Sequence, residues 1–271
     1  MTSTRDNPGA FRVASPPTLR GIASRAVSLA RRGTLRLAAL GVAADAANLV
    51  MARLGGALPM RFRCPCCGHE TPAFRHLISS ERVAWNSACA SCDSRSRHRG
   101  LALLLPALLD REAPRSVLHF APEPILRRYF AERPLRYETA DLYLEDAIHR
   151  DVDLQQLPFE DSSYDMVVCN HVLEHVPDDK RALRELARVL TERGTAVITV
   201  PGDFSRRETV HFHGELPNGH YRDYGLELVN LLEQVFAKVE VVDLHRYDAA
   251  GTGLSHGIRE RDLAFICRRA A

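Results

Sequence analysis

The chain has 271 residues, 45% of them hydrophobic and 26% charged, which excludes a disordered or fibrous protein and fits one large domain or a medium domain with a small accessory one. The net charge of +2 conceals an uneven distribution, because residues 1–100 hold 15 arginines and 5 acidic residues whereas residues 101–271 hold 21 basic and 29 acidic residues. The basic residues 1–100 could contact phosphate or a membrane surface, or their arginines could simply form the solvated faces of helices.

Residues 1–60 are predicted to form a polar tail followed by one or two amphipathic helices. From residue 18 onward, apolar residues recur at helical spacing with arginines between them: Arg20, Arg25, Arg31, Arg32 and Arg36. The helices could cover the rest of the protein, lie on a membrane or pack in a dimer, and we favour the first. Asp45 and Asn48 interrupt the longest apolar run, so no membrane-spanning segment is expected. The N-terminus lacks a secretory signal pattern, which predicts a cytoplasmic protein. The sequence leaves the oligomeric state open.

Residues 61–100 contain five of the seven cysteines and predict a zinc-ribbon-like segment. Two C-x2-C pairs, Cys64/Cys67 and Cys89/Cys92, are separated by 21 residues. Four thiolates at this spacing suit a tetrahedral Zn²⁺ with no open coordination position, so the metal would be structural. Cys66 is left over. Disulfides are the alternative, which a reducing cytoplasm disfavours.

Residues 101–271 alternate predicted strands with predicted helices, a pattern typical of a parallel sheet covered on both faces. The predicted strands are 116–121, 135–141, 148–154, 164–170, 194–201, 238–244 and 261–268. The predicted helices are 97–111, 123–134, 178–190 and 224–236. The connection between the last two strands has no helical pattern, which favours an antiparallel pair at the edge of the sheet.

The stretch "DLQQLPFEDSSYDMVVCNHVLEHVPDD" resembles the second half of class I S-adenosylmethionine-dependent methyltransferases. It has an acidic residue (Asp153), a Leu-Pro-Phe turn, a hydrophobic strand and a His-Val-Leu-Glu-His-Val segment. The resemblance covers about residues 115–243 and is closest to the group in which a Cys-rich ribbon precedes the core and the first strand reads "VLHxAPEP". It implies an α/β fold: a Rossmann-like, seven-stranded methyltransferase sheet over residues 101–271, with a small zinc-ribbon-like insertion, N-terminal helices and S-adenosyl-L-methionine as cofactor.

The turn after the first strand departs from the family pattern. Most relatives have glycines there, whereas this chain reads "HFAPEP", with Ala121 at the first glycine position. Because this cofactor has no pyrophosphate, prolines can fix the turn instead of glycines. Glu123 could hold the cofactor ammonium, or could simply be an acid at a helix N-terminus.

The resemblance also implies the remaining cofactor contacts. Asp141 would accept the ribose hydroxyls, unless it only forms a turn, and Asp153 would accept the adenine amino group while Leu154 packs on the ring. The full implied set is His119, Ala121, Glu123, Asp141, Leu142, Asp153, Leu154 and Asn170.

Catalytic candidates lie near the acceptor side of the implied fold: His171, His220 and Tyr224. His175 is expected to be structural. The His-x-His pair at 211 and 213 could bind a metal, but the sequence shows no third ligand, so both are expected to be surface loop residues. Three functions compete: a methyltransferase for a small acceptor such as a sugar, a glycolipid precursor or a natural product; an RNA methyltransferase whose basic ribbon grips phosphates; and a non-catalytic binding module.

Overall fold

The computed structural model describes residues 17–31, 35–78, 83–213, 219–248 and 253–269. The chain divides into two compact units, one formed by residues 1–104 with 245–259 and the other by residues 105–244 with 260–271. The polar tail predicted at the N-terminus lies largely outside the described residues. Residues 245–259, expected within the 101–271 domain, group with the first unit, because Arg63 and Ser255 bond through their backbones and His256 Nδ1 lies 2.7 Å from the Arg63 carbonyl oxygen.

The described part of the first unit includes two helices and two small antiparallel hairpins. Helices α1 (Leu19–Arg31) and α2 (Leu35–Leu54) lie where the apolar spacing predicted one or two helices, and they pack together. Strands β1 (Phe62–Arg63) and β2 (Glu70–Thr71) pair, and so do β3 (Arg75–Ile78) and β4 (Val83–Ala88). Strands this short bury little apolar surface, so other interactions must hold the hairpins in place.

Among the described residues, one helical segment, Leu35–Ala57, is long and apolar enough to cross a membrane by length and composition. Within the first unit it carries two polar contacts that a packing helix would make. Asp45 is buried and ion-pairs with Arg25 at 3.2 Å. The Asn48 amide donates to the His76 carbonyl and accepts from the His76 N–H. The absence of a spanning segment stays a prediction.

Arg99 forms the polar centre of the first unit. Its guanidinium is fully buried and donates to the backbone carbonyls of Ser87, Ser94, His256 and Gly257. The guanidinium also stacks over the Phe74 ring at 4.1 Å. A buried arginine is tolerated when its donors are satisfied, and here they tie three chain segments together.

The second unit is built on a six-stranded sheet. Its strands are β5 (Ser116–Phe120), β6 (Arg136–Ala140), β7 (Tyr164–Asn170), β8 (Leu190–Thr199), β11 (Lys238–Asp243) and β12 (Leu263–Arg268). They lie side by side in the order β11-β12-β8-β7-β5-β6. Strands β6, β5, β7 and β8 are mutually parallel, while β12 runs antiparallel to both β8 and β11. The predicted α/β class and the antiparallel edge are confirmed.

The described residues contribute six strands to this sheet rather than the predicted seven. The predicted strand 148–154 makes a single bridge, between His149 and Ala140. Asp151 then adopts a φ of +58°, which turns the chain, and the Val152 N–H donates to the Asp141 carbonyl. Val152 and Leu154 are therefore buried in a turn instead of extending the sheet, and Ile148 is exposed.

The helices that alternate with these strands are α3 (Ser96–Glu112, which begins in the first unit), α4 (Pro124–Ala131), α5 (Asp179–Val189) and α6 (Leu228–Glu233). Helix α5 packs against β8, and α6 packs against β11. Helix α5 begins where the Asp178 side chain accepts a hydrogen bond from the Arg181 N–H, a standard N-cap. Two short strands, β9 (Val210–His211) and β10 (Arg222–Asp223), pair beside the sheet. This arrangement leaves the carboxyl ends of β5, β6 and β7 together at one edge, where parallel sheets bind ligands.

Candidate cofactor pocket and cysteine cluster

A cavity of about 640 Å³ opens at this edge of the sheet. Its volume lies within the range of about 300–1,000 Å³ common for small-molecule sites. Six of the residues predicted to serve the cofactor or the catalysis line it: Ala121, Asp141, Leu142, Asp153, Leu154 and His171. With His175, which also lines it, the wall combines apolar surface with two carboxylates and two imidazoles.

The turn after β5 keeps a glycine-like backbone without a glycine. Ala121 adopts a φ of +45°, in the left-handed region that glycine prefers, and its N–H donates to the Ala140 carbonyl. Such a conformation costs an alanine about 1–2 kcal/mol. Pro124 is the first residue of α4, where a missing N–H costs nothing. Ala121 and the two prolines thus hold the same turn that glycines would form.

Asp141 and Asp153 both shape the backbone around them. Asp141 Oδ1 accepts hydrogen bonds from the N–H groups of Tyr143 and Leu144, at 2.6 and 2.8 Å. Asp153 Oδ1 accepts from the Gln155 N–H at 2.8 Å. Each carboxylate therefore forms a turn while it also lines the cavity, and the turn holds it in place.

His119, Glu123 and Asn170 lie behind the cavity wall instead of lining it. His119 is fully buried, with Nδ1 2.9 Å from the Tyr137 hydroxyl and Nε2 3.4 Å from Glu123 Oε2. Asn170 donates to the same Glu123 oxygen at 3.3 Å and accepts from the Thr199 hydroxyl. The three predicted residues form one buried polar network, which anchors the start of α4 to the ends of β5 and β7.

The three predicted catalytic residues are placed differently. His171 lines the cavity with a φ of +51°. The His220 ring packs edge-on against His175 at 4.7 Å, between the cavity-lining residues Gly219 and Tyr221, and burial lowers the pKa of His220. Tyr224 lies apart from the cavity: its hydroxyl donates to Asp179 at 3.0 Å, and burial raises its pKa.

Arg222 clamps the turn that follows β7. Its buried guanidinium donates to the carbonyl oxygens of Leu173, Val176 and Pro177, at 2.7–2.9 Å. Those carbonyls belong to the turn that carries Glu174 and His175. The periodic signals in the sequence report buried apolar faces, so they gave no hint of this buried charge.

Arg222→Lys is expected to lower the free energy of unfolding by about 2 kcal/mol, because a lysine cannot span three carbonyls and leaves buried acceptors unpaired. Urea denaturation followed by circular dichroism measures this change. Arg184→Lys, on the exposed face of α5, is the matched control and should leave the midpoint in place. Equal midpoints for both variants would contradict the clamp.

The four predicted zinc ligands converge in the first unit. The Sγ atoms of Cys64, Cys67, Cys89 and Cys92 all lie within 4.8 Å of one another. Two of the edges, Cys64–Cys92 and Cys67–Cys89, measure 3.6 and 3.7 Å. A tetrahedron with Zn–S bonds of about 2.3 Å has S···S edges of about 3.8 Å. The arrangement therefore fits a tetrahedral Zn²⁺.

Hydrogen bonding within the cluster favours the thiolate of Cys64. Hydrogen bonds from Cys66, Cys89, Cys92 and Ser94 lower the pKa of Cys64 well below its usual range, whereas hydrogen bonds to Cys64 raise the pKa values of Cys89 and Cys92. Gly68, at a φ of +74°, closes the first cysteine turn through its N–H bond to the Cys64 carbonyl. The leftover Cys66 lies 3.7 Å from the His98 carbonyl and outside the group of four.

Residues 130–198 match the family model described as "Methyltransferase domain". The match spans β6, β7 and α5, but not the turn at Ala121 or the cysteine cluster. Two proteins from Mycobacterium tuberculosis strains, each named "Probable S-adenosylmethionine-dependent methyltransferase", are 35% identical over 114 residues. That alignment covers 41% of this chain and only 37% of each relative, so the chain spans about a third of their length.

Solved structures with a similar chain path include a S-adenosylmethionine dependent methyltransferase from Mesorhizobium loti, at 16% identity and a TM-score of 0.46, covering 63% of this chain and 98% of that one. Another is 1,6-didemethyltoxoflavin-N1-methyltransferase from Burkholderia thailandensis, at 17% identity and a TM-score of 0.45, covering 65% of this chain and 79% of that one.

Proposed function

We propose that this chain is an S-adenosylmethionine-dependent methyltransferase whose cofactor occupies the cavity at the carboxyl ends of β5, β6 and β7. The observation that carries the proposal is the convergence of Ala121, Asp141, Asp153 and His171 on that cavity. The match of residues 130–198 to a methyltransferase domain supports it independently of the cavity. The Cys-rich first unit and the "VLHFAPEP" turn support membership of the ribbon-bearing group.

The residues around the cavity fit the cofactor's chemistry. Asp141 sits at the end of β6, where its free oxygen would accept the ribose hydroxyls while Oδ1 keeps the turn. Leu142 and Leu154 supply apolar surface for the adenine ring, and Asp153 would accept its amino group. Glu123 and Asn170 would act from behind the wall, by fixing the turn at Ala121 and adding negative charge near the cofactor ammonium.

The cofactor, when bound, supplies an electrophilic methyl group on a sulfonium centre. The chain must then align an acceptor with that methyl group and exclude water, and alignment alone supplies a large part of the rate. His171 stands at the cavity wall, where it can take a proton from an acceptor hydroxyl or amine. Tyr224 is assigned a supporting role, since its hydroxyl is held by Asp179 outside the cavity.

A small-molecule acceptor fits this site better than RNA. The cavity is lined largely by apolar side chains and turns, as small-ligand sites are. Several of the arginines that give residues 1–100 their positive charge make contacts within the first unit instead of being available to RNA phosphates. Arg99 is buried, Arg75 pairs with Asp93 and Arg25 pairs with Asp45. We also propose that the four cysteines bind one structural Zn²⁺.

Isothermal titration of the purified, zinc-loaded chain with S-adenosylmethionine and with S-adenosylhomocysteine tests the proposal. We expect micromolar dissociation constants for both, because the turn at Ala121 retains its glycine-like backbone. Folded protein that binds neither compound would overturn the methyltransferase assignment and would favour a non-catalytic binding module on the same fold.

A further inference from the structure

A second cluster of metal-ligand side chains lies beside the cofactor cavity, which one of its members, His175, lines. Glu174, His175 and His220 each place one ligand atom within 4.8 Å of the other two. Glu174 and His175 follow β7 on the turn that Arg222 clamps, and His220 comes from the loop before β10. That loop is tied to the turn because the Tyr221 N–H donates to the Glu174 carbonyl at 2.7 Å.

The carboxylate of Glu174 has no hydrogen bond that would explain its burial. Its side chain is 1% exposed, and neither oxygen accepts a hydrogen bond from any residue that the structure describes. The nearest cationic groups are imidazoles: His171 Nδ1 lies 3.3 Å and His175 Nε2 lies 3.9 Å from Oε1. Burying a carboxylate without a hydrogen-bonded partner is costly, so buried carboxylates in native proteins are paired or bind metal.

The geometry of His175 suits a metal ligand. His175 Nδ1 lies 3.2 Å from the Gly219 carbonyl oxygen, which can only accept, so a proton on Nδ1 completes this bond. In the neutral ring, Nε2, the nitrogen 3.9 Å from Glu174 Oε1, then carries the lone pair. Metal-binding histidines are usually fixed by such a bond from the other ring nitrogen to a carbonyl. A lone pair facing a carboxylate is repulsive until a cation lies between them.

We propose that Glu174, His175 and His220 form a binding site for a divalent transition-metal ion. Two imidazoles and one carboxylate are a common set for Zn²⁺ and Fe²⁺ sites that keep open coordination positions. The open positions would face the cavity, because His175 lines it together with Gly219 and Tyr221. This site is separate from the four-cysteine cluster, which leaves a metal no open position.

The location assigns the ion a role that rests on the proposed methyl transfer. An acceptor oxygen bound to the ion would have a lowered pKa, so its proton is lost more readily, with His171 as the nearby base. The oxygen lone pair then forms the new O–CH₃ bond while the electrons of the S–CH₃ bond return to sulfur. A metal here therefore favours hydroxyl or enol acceptors with a second oxygen for chelation.

Metal stoichiometry tests the site without any activity assay. The full chain is stripped with a chelator and titrated with Co²⁺, whose thiolate complexes absorb differently from its nitrogen and oxygen complexes. We expect the wild type to bind two equivalents, one with thiolate charge-transfer bands and one without them. Glu174→Gln and His220→Gln should each bind only the thiolate equivalent, while the control His213→Gln, at an exposed position outside the cluster, should bind both.

Thermal unfolding keeps the test decisive if a variant binds nothing. Because Glu174→Gln removes a buried charge, the Tm of the metal-free variant should equal or exceed that of the metal-free wild type. Zn²⁺ at 100 times its dissociation constant should raise the Tm of the wild type by about 5 °C beyond the shift caused by the cysteine site, and the variant should lack this additional shift. A single Co²⁺ equivalent in the wild type, of thiolate type, would overturn the proposal and leave Glu174 paired with protonated histidines.

Titration with the cofactor distinguishes the failure of the metal site from the failure of the proposed function. If the wild type binds S-adenosylmethionine but only one metal equivalent, only the proposed metal site is wrong. If it binds two metal equivalents but no S-adenosylmethionine, only the methyltransferase assignment is wrong.

Discussion

Replacing Cys64 with serine is expected to release the bound zinc and to unfold the first unit. Cys64 is fully buried, with its Sγ 3.6 Å from Cys92 Sγ and 3.1 Å from Ser94 Oγ. Structural zinc contributes about 10–16 kcal/mol of binding free energy, which far exceeds what the two short hairpins can supply from packing. Mass spectrometry of metal content and limited proteolysis between residues 61 and 100 measure the two effects.

Cys66→Ser is the matched control, because Cys66 lies beside the cluster without belonging to it. It should retain one zinc in this cluster per chain and the protease resistance of the wild type. Loss of zinc in both variants would mean that the ligand set differs from the four cysteines. Retention of zinc and protease resistance in Cys64→Ser, or disulfides in the non-reduced protein, would contradict the ribbon altogether.

Sequence spacing predicted the four cysteines as metal ligands, because two ligands of one ion lie close together on a tight turn and such a pair appears in the sequence as C-x2-C. The same sequence carried no sign that Arg99 stands at the centre of this unit. Burial lowers the pKa of Arg99, and nearby Cys64, Cys66, Cys89 and Cys92 oppose that shift. The guanidinium also bonds carbonyls from residues 87, 94, 256 and 257. Contacts between positions about 157 residues apart leave no periodic trace in a single sequence, so the placement of residues 245–259 was equally invisible.

The central sheet was largely predictable, since its inner strands are buried on both faces and read as continuous apolar runs. Strands β5, β7 and β8 fall within two residues of their predicted positions except at the start of β8. The segment 148–154 failed as a strand for a local reason. Asp151 takes a left-handed conformation, and alternation of apolar residues over seven positions cannot distinguish a strand from a turn with buried side chains.

In the candidate site, too, some residues were predictable from the sequence and others were not. Residues at the ends of strands, such as Asp141 and His171, were found by their position in the chain and do line the cavity. Tyr224 was predicted from its place on the acceptor side of the implied fold, and its hydroxyl is held by Asp179 instead. A glutamate in a short turn is usually exposed, so the sequence gives no sign that Glu174 is buried, which only the fold shows.

Asp141→Asn is expected to weaken S-adenosylmethionine binding by about 100-fold without disturbing the fold. Asparagine keeps an oxygen that can accept from the Tyr143 and Leu144 N–H groups, so the turn after β6 survives. It replaces the second carboxylate oxygen with an NH₂ group, which cannot accept from a ribose hydroxyl. The lost charge-assisted hydrogen bond corresponds to about 3 kcal/mol, and each 1.4 kcal/mol is about tenfold in the dissociation constant. Calorimetric titration of the folded variant measures it.

Asp146→Asn serves as the control, because Asp146 follows the same strand but is exposed and pairs with Arg127 on the surface. Its affinity for the cofactor should equal that of the wild type. An unchanged affinity in Asp141→Asn would mean that Asp141 only stabilises the turn after β6 and that the ribose binds in another part of the cavity. Equal losses in both variants would show that negative charge near β6, not a directed hydrogen bond, governs binding. Only the selective loss assigns the free oxygen of Asp141 to the ribose, because the asparagine leaves every described contact of Oδ1 intact.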